Sequence, residues 1–172
     1  MNIGALLFNP KGAVGKSAFL TGAVILVVVG FLTAMAPLVN PLLGVLAFFV
    51  GLVAIYCWVA LWIKRLHGAG ASGWWTVLIV LGWIIVDSVV EFAVLGALGI
   101  DFAGMMSGGG DFAEMMAQME AMTEQVLLPT SISSAIVSLA VALGLNAILP
   151  AGREANRAVE DDQSPPSGPP ES

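Results

Sequence analysis

Charge is what this sequence has least of. Only 10% of its 172 residues are Asp, Glu, Lys or Arg, while 58% are hydrophobic, and the mean hydropathy is +0.94. Soluble domains carry roughly a quarter charged residues, so this shortage excludes an ordinary soluble fold. Cysteine is nearly absent: Cys57 stands alone, which excludes a disulfide framework and a thiolate metal site within the chain. It sits in an apolar run and reads as a small hydrophobe. No cysteine follows the first apolar run, so lipid modification near the N-terminus is unsupported. His67 is the one histidine, which leaves it no second imidazole for a metal or a relay. Gly15-Lys16-Ser17 invites comparison with a phosphate loop, but Pro10 stands where that motif needs its first glycine. Lys16 reads instead as an interfacial anchor at the start of an apolar helix.

What the chain does have is long uncharged runs. A helix of about 20 apolar residues crosses the hydrocarbon core, and four stretches qualify: 18–36, 42–63, 74–98 and 131–149. Ala34-Met35-Ala36 resembles a signal-cleavage site, but the run before it is too long and Pro37 follows, so the helix is expected to be retained. Residues 37–41, with Pro37 and Pro41 around Asn40, predict a tight turn. Tyr56, Trp58 and Trp62 stand near the far end of the second run, where amphipathic rings favour the headgroup level.

Between the third and fourth runs the chain is acidic. Asp111 with Glu114 gives a capping pattern. From there Phe112, Met115, Met116, Met119, Met122 and Val126 share one helical face, opposite Glu114, Gln118 and Glu124. The pattern predicts an amphipathic helix over about 111–128, lying along the membrane surface, ended by Pro129. The fold class expected is therefore an all-α membrane protein with four transmembrane helices and one amphipathic interfacial helix between helices 3 and 4. Residues 1–17 and 150–172 flank it, and the proline- and serine-rich end from about 163 cannot bury enough apolar surface to fold.

The six cations set the orientation. Lys11 and Lys16 precede the first run, Lys64 and Arg65 separate the second from the third, and Arg153 and Arg157 follow the fourth. With four spans all three segments lie on one side, and the other two connections carry no cation. The positive-inside rule then places both termini in the cytoplasm and the acidic, Met-rich loop outside.

The island between the second and third runs carries a recognisable pattern. Lys64-Arg65-Leu66-His67, then Gly70 and Ser72-Gly73-Trp74-Trp75, resembles the signature of the bacterial membrane family named domain of unknown function 805. Gly12-Ala13-Val14-Gly15-Lys16-Ser17-Ala18-Phe19 is similar to that family's entry into its first span, and Asn156-Arg157 faintly matches its C-terminal segment. The chain departs from the pattern at Gly68, where the family has Asp, and at Ala71, where it has a basic residue. His67 thus lacks the Asp that orients a histidine in the motif. The resemblance implies architecture and a location in the bacterial inner membrane; the family carries no established activity.

Three sets of residues invite chemistry. Asp87 and Glu91 lie four apart, on one face of the third helix. Counting ~1.5 Å per residue from Trp74 puts both in the outer half of the membrane. Intramembrane carboxylates are expensive and point by default to function, here a proton or cation site. Packing against a neighbouring helix, or hydration at the helix edge, is the plainer account of the pair. Ser134, Ser138, Ala142 and Asn146 make a small polar stripe on the fourth helix suited to such packing, and Ser134 and Ser138 match the acids in depth. In the island, His67 reads as a loop-structuring residue, Gly68, Gly70 and Gly73 as turn formers, and Trp74 and Trp75 as interface anchors. Met116, Met119 and Met122 offer thioethers of the kind that bind Cu(I), although a Met stripe at helical spacing is ordinarily an apolar face. No nucleophile, cofactor motif or metal constellation emerges, so the expectation is a non-enzyme without cofactor. Its expected partners are the bilayer and either a membrane protein or a second copy, with no nucleic acid. The role expected first is structural or partner-interacting. The alternative is a proton- or cation-coupled transporter or channel subunit using Asp87 and Glu91, and a weaker one is copper handling by the Met-rich loop.

Overall fold

The computed structural model describes residues 3–9, 11–100 and 112–150, without the side chains of residues 5, 41, 112–122 and 124. The described residues form five helices and no strand: α1 (Ile3–Phe8), α2 (Lys16–Val39), α3 (Pro41–Gly68), α4 (Trp75–Ala97) and α5 (Phe112–Ile148). Four segments are long and apolar enough to cross a membrane: Lys16–Val39, Leu42–Gly68, Trp75–Ala97 and Gln125–Ile148, each with a mean hydropathy of at least 2.0. At ~1.5 Å per residue each exceeds the ~30 Å hydrocarbon core. The expected four-span helical architecture is the one found.

The helices expose large apolar side chains along their lengths: Leu32 is 62% exposed, Phe48 63% and Ile85 64%. In water so much apolar surface is an association hazard; against acyl chains it is solvated. The true interior is small and lies toward the α3–α4 turn. There Leu6 and Leu7 of α1 join Phe19 and Ala23 of α2, Leu61 and Trp62 of α3, and Ala142 of α5. Phe19 and Trp62 meet at a centroid distance of 4.6 Å, tilted by 56°. Cys57 is buried in the same cluster.

Helix α2 packs along α3 and α5, whereas α4 leans mainly on α5 and touches α3 only lightly. The bundle is therefore closed on three sides and loose on the fourth, between α3 and α4.

Both proline expectations change. The turn foreseen over 37–41 shrinks to Asn40 alone, because α2 continues through Pro37 to Val39 and α3 begins at Pro41. Asn40 caps the new helix by accepting from the Leu42 N–H at 2.8 Å, and proline suits a first helical position, where its missing N–H costs nothing. Pro129 likewise does not end a helix: α5 runs through it. Proline removes the donor for the carbonyl four residues back, and neighbouring hydroxyls stitch the backbone together around it. Thr130 Oγ1 donates to Val126 O at 2.8 Å and to Leu127 O at 3.2 Å, and Ser133 Oγ donates to Thr130 O at 2.8 Å. Hydroxyls of this kind let membrane helices tolerate proline. The segment expected as a separate surface helix is thus the first part of α5. Its methionine-bearing face lies outside the described side chains. Ahead of the first span, the short helix α1 of six residues is the other addition.

Candidate functional site

The island's basic pair is buried. Lys64 is 3% exposed and Arg65 is not exposed at all, although both stand at the end of a membrane helix where cations ordinarily reach water. Their partners explain it. The last carbonyls of a helix lack intrahelical donors and carry the negative end of its dipole. Lys64 Nζ donates to Leu6 O near the end of α1, and Tyr56 Oη donates to Phe8 O, the last carbonyl of that helix, at 3.3 Å. Arg65 serves α5 in the same way. Its Nη2 donates to Leu149 O at 3.1 Å and Pro150 O at 3.0 Å, and its Nε donates to Asn146 Oδ1 at 2.6 Å. Lys16 Nζ reaches Ala147 O at 3.1 Å, and Asn146 Nδ2 reaches back to Lys16 O at 3.4 Å. Three cations from two helices thus cap the ends of two others.

The glycines of the island have separate tasks. Gly70 has φ +80°, a left-handed conformation that favours glycine. It ends α3 in a Schellman motif: Ala71 N–H returns to Leu66 O at 2.8 Å and Gly70 N–H to His67 O at 3.1 Å. Gly68 is needed for proximity, since a Cβ there would lie 2.6 Å from the carbonyl oxygen of Val14. Val14 N–H donates to Lys64 O at 3.2 Å, so the segment before α2 is pinned to the end of α3. The room that an Asp needs at position 68 is filled here by Val14. His67 is exposed, beside Gly73, whose Cβ position is 3.2 Å from Nε2. Ser72 Oγ accepts weakly from Trp74 N–H at 3.4 Å. Trp74 and Trp75 remain 81% and 57% exposed.

The acids sit at the other half of the bundle. Ser134 Oγ donates to Asp87 Oδ2 at 3.2 Å, and one turn nearer the island Trp83 Nε1 donates to Ser138 Oγ at 3.1 Å. These two rungs join α4 to α5. Asp87 Oδ1 is buried with no hydrogen-bond partner among the described residues. Glu91, one turn beyond, lines a cavity of about 680 Å³ between the spans, whose wall also includes Ser134, Ser138, Thr130 and Ser131. The structure therefore brings Asp87 and Ser134 together and places Glu91, Ser134 and Ser138 on one cavity. Ser138 is bonded to Trp83 rather than to an acid. No group of three or more His, Cys, Asp or Glu able to hold a metal occurs among the described residues, and the side chains of Met116, Met119 and Met122 lie outside them.

Two partners escaped sequence reasoning although signals existed. Trp83 precedes Asp87 by four residues as Ser134 precedes Ser138 by four, which matches two rungs on antiparallel helices. Asn146 and Arg65 lie at the same end of their spans, and a buried guanidinium needs an acceptor that Asn supplies. A family model described as protein of unknown function (DUF805) matches residues 7–100, covering α2, α3, α4 and the connections between them. No curated protein and no solved structure matches the chain.

Proposed function

For a chain that belongs to the DUF805 family, we propose a partner-interacting role in the bacterial inner membrane, without catalysis, exercised at the open side between α3 and α4. One observation carries this. Arg65, Asn146, Trp83 and the serines of α5 hold helices together, while α4 is fastened to α5 and left loose from α3. A membrane bundle left open along one side offers packing surface to another transmembrane helix, since association in lipid is driven by close packing and interhelical hydrogen bonds. A helix docked on that side, from a partner protein or a second copy, packs against Ile55 and Trp58 of α3 and Trp83 of α4, which line a small apolar pocket between the two helices. The distribution of the six cations supports termini on the cytoplasmic side.

Proton or cation coupling is the alternative, favoured by the position of Glu91 on the cavity and by the unpartnered Asp87 Oδ1. Native electrophoresis of mildly solubilised membranes separates the two when paired with proton and cation flux in proteoliposomes of the purified chain. The proposal predicts migration in an assembly larger than the 17.8 kDa monomer and no flux. A monomer in native membranes, with flux abolished by Glu91→Gln, transfers the role to the acids.

A further inference from the structure

The outer cavity holds a chemistry that helix docking leaves unused. It measures about 680 Å³ and draws its wall from α2, α3, α4 and α5, inside the roughly 300–1,000 Å³ range of small-molecule sites. Glu91 is the one charged side chain on that wall among the described residues. No Lys or Arg occurs over residues 17–63 or 66–152, so the spans offer this carboxylate no cation of their own. The hydroxyls on the wall carry the same sign of preference. Thr33 Oγ1 donates to Val29 O, Thr130 Oγ1 to Val126 O and Ser134 Oγ to Asp87 Oδ2. A hydroxyl has one proton and two lone pairs, so with the proton spent each of these oxygens keeps only acceptor capacity. Much of the remaining wall is apolar, and Phe31, Phe48 and Trp58 bring aromatic rings to it.

We propose that this cavity binds a lipophilic organic monocation, a hydrophobic amine or onium ion, with its charge at Glu91 and its apolar body against Phe31, Phe48 and Trp58. A carboxylate within a membrane span is expensive, and a cation seated beside it offsets that cost. Aromatic rings take up both the hydrocarbon and the charge of such an ion. An anion would meet a carboxylate and acceptor oxygens. A divalent metal ion fits badly, because calcium and magnesium take about six or more oxygen ligands and the wall supplies one carboxylate. A bare monovalent ion, near the ~30 Å³ of a water molecule, would leave nearly all of the volume unfilled. The inference rests on the reading of Glu91 as a cation site and names its ligand class, but it requires neither flux nor a protein partner.

The test is equilibrium dialysis of the full-length chain in dodecylmaltoside micelles against tetraphenylphosphonium and, separately, tetraphenylborate, ions of nearly equal size and opposite charge, each read against empty micelles. Saturable one-to-one uptake of the phosphonium is expected, with no uptake of the borate. Glu91→Gln removes the charge at nearly constant volume and should weaken uptake roughly tenfold or more, as the loss of one partner of a buried charge pair does. Gly51→Phe keeps Glu91 and fills the cavity. Gly51 lies on the wall, and a Cβ there meets nothing within 4 Å, so the ring has room and uptake should fall by a similar factor. Thermal unfolding of ligand-free protein, matching wild type in both variants, shows that each is folded. Equal uptake of the two ions, or phosphonium uptake unchanged in either variant, overturns the proposal. Flux in proteoliposomes is scored separately, so flux that Glu91→Gln abolishes beside a failed dialysis removes the organic ligand and keeps the cation site.

Discussion

Arg65 concentrates the stabilising chemistry of the molecule in one side chain. Its Nε meets the amide of Asn146 and its Nη2 two carbonyls at the end of α5, while Nη1 is buried with no partner among the described residues. Burying a guanidinium without such acceptors is prohibitive, so the residue and its partners stand or fall together. Arg65→Ala should lower stability by about 3 kcal/mol, the worth of charge-assisted hydrogen bonds together with the carbonyls left bare. Arg65→Lys should recover only part, because an ammonium cannot span the three acceptors in fork geometry. Thermal unfolding in detergent distinguishes the two, and equal melting of Arg65→Lys and wild type would show that charge alone suffices. The sequence announced the basic pair but suggested its surroundings only weakly. Lysine and arginine at a helix end ordinarily mark the interface, and nothing in the spacing shows that α1 and α5 end beside them. Gly68 is similarly opaque, since the close approach of Val14 that requires it is a tertiary fact.

At the scale of elements, the membrane spans were legible because hydrocarbon demands long apolar runs whatever the packing. The prolines were not. In water Pro37 and Pro129 would mark helix ends, and reading them so placed a five-residue turn at 37–41 and a boundary at 129. In lipid an unpaired backbone group has no water to turn to, so continuing the helix and recruiting Thr130 and Ser133 is the better solution. It follows that Pro129→Ala should keep or slightly raise the melting temperature, while Thr130→Val should lower stability by about 1 kcal/mol. Loss of helical content in Pro129→Ala, read by circular dichroism, would restore the break as a structural need. The stripe of Ser134, Ser138, Ala142 and Asn146 was visible as packing surface; that it serves α4 with its serines and Arg65 with its asparagine became clear only with the helices in place.

The whole molecule is a bundle with one firm end and one open side. At the Arg65 end three cations, a tyrosine hydroxyl and an asparagine tie α1, α3, α5 and the start of α2 together. Away from that end, α4 is held to α5 by two side-chain rungs, and the space among the four spans is cavity rather than core. Composition and the length of the uncharged runs foretold the four apolar spans. Neither showed which pair of helices stands apart, because that depends on shape complementarity no periodicity encodes. Asp87 illustrates the limit: its depth marked it for function, yet it is joined to Ser134 through one oxygen and left unsatisfied through the other.

The claim that the open side receives another transmembrane helix is tested most directly by photo-crosslinking in native membranes. A benzophenone amino acid replaces Ile55, which borders the outer cavity, or Val28, which is 51% exposed on α2 and lines none of the pockets described here. Discrete protein adducts from position 55 and none from position 28 are the predicted result. Matching patterns at both positions, or no protein adduct at position 55, would contradict a partner at the α3–α4 side.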